Sequence, residues 1–227
     1  MNNMSKQAFT LAEVLITLAI IGVISAMTIP ALINKTNSAE NVVALKKAYE
    51  TLSQAYYIIS TENGGIQNIL SSTTTDDDYA NIFIPKLHVA KNCGTNNAKD
   101  TGCFTNKMYM SLDGITPWTR VANYSTVITN DGVSYAFDFF GGTGCSSDYS
   151  ASGTDSSPLY NTCGDVIVDV NGPNKGPEKC GRDTFMFWVT KKGLYPMGSY
   201  PDNISGNCTA FGSTCAYKIL SEGVMNY

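Results

Sequence analysis

Residues 9–33 read FTLAEVLITLAIIGVISAMTIPALI, an apolar run long enough to set the architecture of the whole chain. About 18 of its 25 side chains are apolar, and Glu13 is its only charge. As a helix rising 1.5 Å per residue it reaches about 37 Å, more than the roughly 30 Å of a bilayer's hydrocarbon core. A polar leader, MNNMSKQA, precedes it with one cation, Lys6, and the polar run NKTNSAEN follows. A cleaved secretory signal would carry a shorter apolar core of about 7–15 residues, ending in a small-residue cleavage site. Only Ala26 offers itself for that cut. A plain signal anchor fits the length and the hydropathy. Neither accounts for Glu13, because a carboxylate costs about 2.5–3.5 kcal/mol at a bilayer centre and somewhat less towards its edge. Such a residue asks for a partner or a task.

Outward from this stretch the composition becomes more ordinary. The 227 residues are 43% hydrophobic, 11% aromatic and 15% charged, with 15 basic against 19 acidic side chains. That balance excludes a broadly basic nucleic-acid binder. The aromatic and aliphatic content excludes disorder throughout. The charged fraction lies below the roughly 25% of soluble domains, partly through the apolar stretch and partly through Gly-, Ser-, Thr- and Asn-rich loops.

Val42, Leu45, Tyr49, Leu52, Tyr56 and Ile59 recur at alternating steps of three and four, which predicts a continuing helix with one apolar face. Asn63-Gly64-Gly65 is its stop signal. Three heptads are short for a coiled coil, so the face is expected to pack on the chain's own sheet. Residues 64–120 read as irregular, with Asp76-Asp77-Asp78 a solvated loop. Strands are expected at Tyr124–Thr129 and Val133–Phe140 around an Asn130-Asp131-Gly132 turn, then at Asp165–Val170, Asp183–Thr190 and Cys215–Leu220. The expected fold is therefore α+β: a long N-terminal helix, transmembrane in its first half, packed against a small antiparallel sheet of about four strands with long loops. Four segments follow: a leader at 1–8, a membrane helix at 9–33, an amphipathic continuation at 34–62 and a globular head at 63–227.

All seven cysteines lie beyond residue 92, which points to an oxidising compartment for the head. Cys93/Cys103, Cys145/Cys163 and Cys208/Cys215 would each close a local loop and leave Cys180 over; sequence alone leaves this connectivity open. Zinc is disfavoured by the lack of any Cys-x-x-Cys pair and the single histidine, His88. His88 with Cys93 could form a nucleophilic pair only with a cleft and an orienting group, and neither is readable. No nucleophile elbow, phosphate loop or dinucleotide fingerprint occurs, so no enzyme and no organic cofactor is expected. Asp169, Asn171 and Asp183 supply hard oxygens near a turn and are the candidate calcium ligands, with a plain turn the simpler reading. The 13 tyrosines are scattered, a pattern more typical of sheet packing than of a carbohydrate platform.

The polar leader ending in Ala8, followed by Phe9-Thr10-Leu11-Ala12-Glu13-Val14-Leu15-Ile16, resembles the N-terminus of type IV prepilins and type II secretion pseudopilins. The likeness covers roughly the first 30 residues. It implies cleavage by a prepilin peptidase between Ala8 and Phe9 on the cytoplasmic side and N-methylation of Phe9. Ala8 stands where that family usually has Gly, but keeps the small size. The resemblance also implies that Glu13, fifth in the mature chain, neutralises the Phe9 amine of a neighbouring subunit and sets the axial register. Gly22 and Pro30 fall where the family's helix is weakened, and the stretch between them is expected to loosen in a filament. More weakly, Asp169–Pro177 (DVNGPNKGP), Gly181–Phe185 (GRDTF) and the Cys215-Ala216-Tyr217 tail resemble a pseudopilin-like head group.

The function so implied is a structural pseudopilin or minor pilin of a type IV pilus or type II secretion pseudopilus. Its partners would be other pilin or pseudopilin subunits, prepilin peptidase, the inner-membrane assembly machinery and, before assembly, membrane lipid; no nucleic acid is indicated. The chain would cross the bacterial inner membrane once, leader inside and head outside. Lys6 agrees with that orientation and Lys35 weakens it. The alternative is a monomeric signal-anchored surface protein that binds a ligand through a disulfide-stapled head.

Overall fold

A computed structural model of the chain describes residues 10–95, 102–105, 109–118, 120–202 and 208–227. The chain forms two compact units, Met1–Ala39 and Glu40–Tyr227. One helix, α1 (Leu11–Asn63), contributes to both.

Within the second unit the apolar stripe of α1 is seated on the sheet. Leu45, Leu52 and Ile59 are fully enclosed, and so are Ala48 and Ala55. Tyr49 and Tyr56, expected on the same face, are only half-buried. The small alanines are enclosed, while the larger tyrosine rings stay partly exposed. Tyr49 stacks on Phe187 with ring centroids 5.7 Å apart, and the Tyr56 hydroxyl donates to the Thr190 carbonyl at 2.8 Å. Polar pins fix the helix lengthwise: Asn41 Nδ2 donates to the Arg182 carbonyl at 3.1 Å, and Lys47 meets Asp131 at 2.7 Å in the expected hairpin turn.

The head contains β1 (Val89–Gly94), β2 (Tyr109–Met110), β3 (Pro117–Trp118), β4 (Ser125–Thr129), β5 (Ser134–Phe139), β6 (Thr162–Asp169), β7 (Thr184–Thr190) and β8 (Gly193–Pro196). Strands β2 and β3 pair with each other. The other six form one antiparallel sheet in the order β1-β4-β5-β6-β7-β8. The sheet is wider than expected because β1 and β8 extend its edges. Alternation then distributes the side chains between two cores. Val127, Tyr135, Phe137, Val166, Val168, Phe185 and Phe187 join the cluster that contains the α1 stripe. Ala136, Ile167, Met186 and Trp188 pack on the opposite face with Phe104, Tyr109, Val121 and Leu159. This second core explains why all eight residues of β6 are buried. Strands β5 and β6 run so close that a Cβ at Gly164 would stand 2.1 Å from the Asp138 carbonyl oxygen, so only glycine fits.

Two expectations are corrected. The candidate strand Cys215–Leu220 is a helix, α3 (Cys215–Glu222). Cys215, Ala216 and Ile219 are buried while Tyr217 is exposed, a helical spacing where a strand would enclose alternate residues. Gly223, at φ 74°, supplies the left-handed end, with its N–H on the Ile219 carbonyl at 2.8 Å. Nor is Asp76-Asp77-Asp78 a solvated loop: it opens α2 (Asp76–Phe83), whose Tyr79, Ala80 and Phe83 are fully buried. Thr75 and Asp78 form a reciprocal capping box, and carboxylates suit a helix N-terminus. Asp76 accepts from the Phe139 N–H at 2.8 Å, and Asp77 accepts from the Ser125 and Thr95 hydroxyls at 2.6 and 3.1 Å. Each acid therefore holds a different piece of chain.

Candidate membrane-anchoring and assembly site

In the first unit, α1 presents its apolar residues outward. From Leu11 to Ile33 every large aliphatic side chain is exposed, from Val14 at 42% to Leu11 at 79%. Among the described residues this helix alone is long and apolar enough to cross a membrane. Hydroxyls within it are returned to the helix: Thr17 donates to the Val14 carbonyl at 3.0 Å and Thr28 to that of Ile24 at 2.9 Å. Such bonds remove the cost of carrying an unpaired hydroxyl into hydrocarbon.

The helix start is a built feature. Thr10 N–H and Thr10 Oγ1 both donate to Glu13 Oε2, at 2.8 and 2.9 Å, and Glu13 N–H donates to Thr10 Oγ1 at 3.2 Å. This is a capping box, which satisfies two donors that a helix N-terminus otherwise leaves open. Glu13 therefore has a task within its own chain that the sequence reading missed. The Thr10-x-x-Glu13 pattern was the available signal. The cap uses only Oε2; Oε1 carries no hydrogen bond among the described residues and can accept from a second donor. The expected donor, the Phe9 amine, and the cleavage position at Ala8 lie outside the described residues.

Gly22 and Pro30 both fall inside α1. A Cβ at Gly22 would meet nothing within 4 Å, so nothing in this chain requires glycine there. Pro30 lacks the N–H that would bond the Ala26 carbonyl, yet the helix continues through it. The expected loosening concerns an assembled filament.

The remaining candidate residues lie in the head. Disulfides join Cys93 to Cys103, Cys145 to Cys163 and Cys208 to Cys215; Cys180 is buried outside them. His88 is exposed, and its would-be partner Cys93 is bridged. Asp169 and Asp183, the calcium candidates, spend their oxygens on protein donors. Asp169 Oδ2 accepts from the Tyr109 hydroxyl at 2.6 Å, and Oδ1 accepts from the Gly172 and Asn171 N–H groups at 2.9 and 3.3 Å. Both oxygens of Asp183 accept at 2.7 Å, from the N–H groups of Glu178 and Lys179. Asn171 turns its amide onto the Gly176 carbonyl at 3.2 Å. Burial pushes the Asp169 carboxyl up to about 8 and raises that of Asp183. These side chains tie the β6–β7 connection together. Among the described residues no group of three or more His, Cys, Asp or Glu is arranged to hold a metal ion.

An outward-facing apolar helix with a capped carboxylate at its start, followed by an α+β head with three disulfides, is a pilin-like architecture. Residues 3–29 match the prokaryotic N-terminal methylation motif. This is the prepilin-type cleavage and methylation motif of type IV pilins and pseudopilins, and together with the apolar helix it fits a membrane-anchored chain of the prepilin type. The chain matches no curated protein and no solved structure.

Proposed function

We propose that the chain is a structural subunit, a pseudopilin or minor pilin, of a type IV pilus or type II secretion pseudopilus. The observation that carries this reading is the methylation motif on a helix whose apolar surface, Leu11 to Ile33, is exposed. Lipid covers that surface first, with the leader cytoplasmic and the head beyond the inner membrane. Prepilin peptidase cuts between Ala8 and Phe9 and methylates the new amine. The assembly machinery then exchanges lipid contacts for contacts with other subunits.

Glu13 gives the step its register. Its Oε2 keeps the helix capped while Oε1 takes the Phe9 ammonium of the neighbouring subunit, so two charges enter a low-dielectric filament core as a pair. Gly22 and Pro30 provide the compliance for packing. The role is non-enzymatic, and the carboxylates of Asp169 and Asp183 act as turn fasteners, with no metal required.

Glu13→Ala tests the proposal. It should abolish incorporation into filaments while leaving membrane insertion and cleavage intact. Normal assembly of the variant would favour the monomeric surface-anchored alternative.

A further inference from the structure

The tyrosines that look scattered in sequence gather in space. Tyr49 on α1, Tyr195 on β8, Tyr200 in the turn after β8 and Tyr217 on α3 line one open hollow of about 410 Å³, with Ser199 and Ser221 among its walls. Tyr200 also borders a second hollow of about 350 Å³, whose other walls include Ser156, Ser157 and Pro158. Tyr195 meets Tyr200 edge to face at 5.3 Å, which braces a ring that is still 39% exposed. Tyr49 is braced in turn by its stacking on Phe187.

Two features define what this double hollow can hold. It is neutral: among the described residues no acid, lysine or arginine lines either part, and the nearby Lys192 and Lys218 are already paired with Asp155 and Glu222 at 3.3 and 3.4 Å. It is also rich in hydroxyls with bonding capacity to spare. Those of Tyr49, Tyr200 and Tyr217 make no hydrogen bond among the described residues. A hydroxyl both donates and accepts. Flat rings flanked by such groups complement a pyranose, whose C–H face covers a ring while its own hydroxyls exchange hydrogen bonds at the edge. A β-1,4-linked chain of equatorial sugars presents such C–H faces on both sides of each unit. An anionic glycan would find no counter-charge.

We propose that this surface binds a neutral β-1,4-linked oligosaccharide, with one sugar in each hollow and the Tyr200 ring between them. Every wall lies in the Glu40–Tyr227 unit, outside the exposed apolar stretch Leu11 to Ile33.

The test is calorimetric titration of the full chain, in a polyoxyethylene detergent whose headgroup carries no sugar, with chitohexaose and with cellohexaose. At least one hexamer should bind saturably. Tyr200→Ala and Tyr217→Ala should each weaken it about tenfold, whereas Tyr57→Ala, which removes an exposed α1 tyrosine outside the hollow, should leave it unchanged. Tyr200 and Tyr217 sit on different elements, and an unaltered near-ultraviolet circular dichroism spectrum identifies folded variants. No heat with either hexamer would overturn the proposal. So would affinity that survives both substitutions in folded protein, tighter binding of polygalacturonate, or binding of a decaproline peptide in place of the sugars.

Discussion

The two halves of α1 are both apolar, yet they meet opposite fates. Leu45 and Leu52 are 0% exposed under the sheet, while Leu15 and Leu18 on the same helix are more than half exposed. Patterning separates them. In the second half, charged and polar residues such as Lys46, Lys47 and Glu50 surround a stripe that one sheet can cover. In the first half apolar residues run all round, and no single face of a small domain can enclose such a helix. The first half is thus built for surroundings that lie outside the chain, and the second for the chain itself.

This contrast breaks if truncations act alike in both halves. Leu52→Ala should cost the head about 2–5 kcal/mol in chemical denaturation, the usual toll for removing a buried leucine. Leu15→Ala should leave that unfolding curve in place and act on membrane retention or filament incorporation instead. The Cys145–Cys163 bridge sharpens the picture of a head with long loops. Replacing both cysteines by serine should destabilise the head by about 2–4 kcal/mol, read from the denaturant midpoint of oxidised protein.

The two capping boxes offer a smaller, matched pair. Thr75→Ala removes the cap of α2 and should cost the head about 1 kcal/mol, whereas Thr10→Ala at the start of α1 should not move head unfolding at all. The last contrast is a slope with pH. Asp169 is raised in the folded head to about 8 from an ordinary carboxylate value near 4, so the folded state holds the extra proton between these limits. Head stability should therefore fall as pH rises through that window. Asp169→Asn, which keeps the shape, should flatten the decline; an unchanged slope would return the effect to other acids.

Much of this was legible in the residues. The apolar run, the amphipathic continuation and the Asn130-Asp131-Gly132 hairpin carry their periods and turn chemistry openly, and each of the three disulfides joins cysteines that follow one another in sequence. Other elements were not. α2 begins with three acids that look like solvent-facing residues until Thr75 and Asp78 are seen as a cap. α3 is eight residues long, too short for its period to outweigh a strand-like run of Ala, Tyr, Ile and Leu. β1 carries Lys91 and Gly94, and the four-residue β8 opens on Gly193 and closes on Pro196; such residues suit sheet edges and hide both strands from a search for hydrophobic alternation. At the candidate site Glu13 stood out as a lone charge, whereas Thr10 did not, because its role exists only in the reciprocal bond. The tyrosine hollow draws on residues from 49 to 217, and only the fold brings them together.

Mass spectrometry of the mature protein isolated from membranes tests whether the N-terminus is processed to free a filament-forming helix. The expected N-terminal peptide begins at Phe9 and carries one methyl group on its amine. A chain that retains Met1, or one that begins near Thr28 as a cleaved secretory signal would leave it, would contradict such processing.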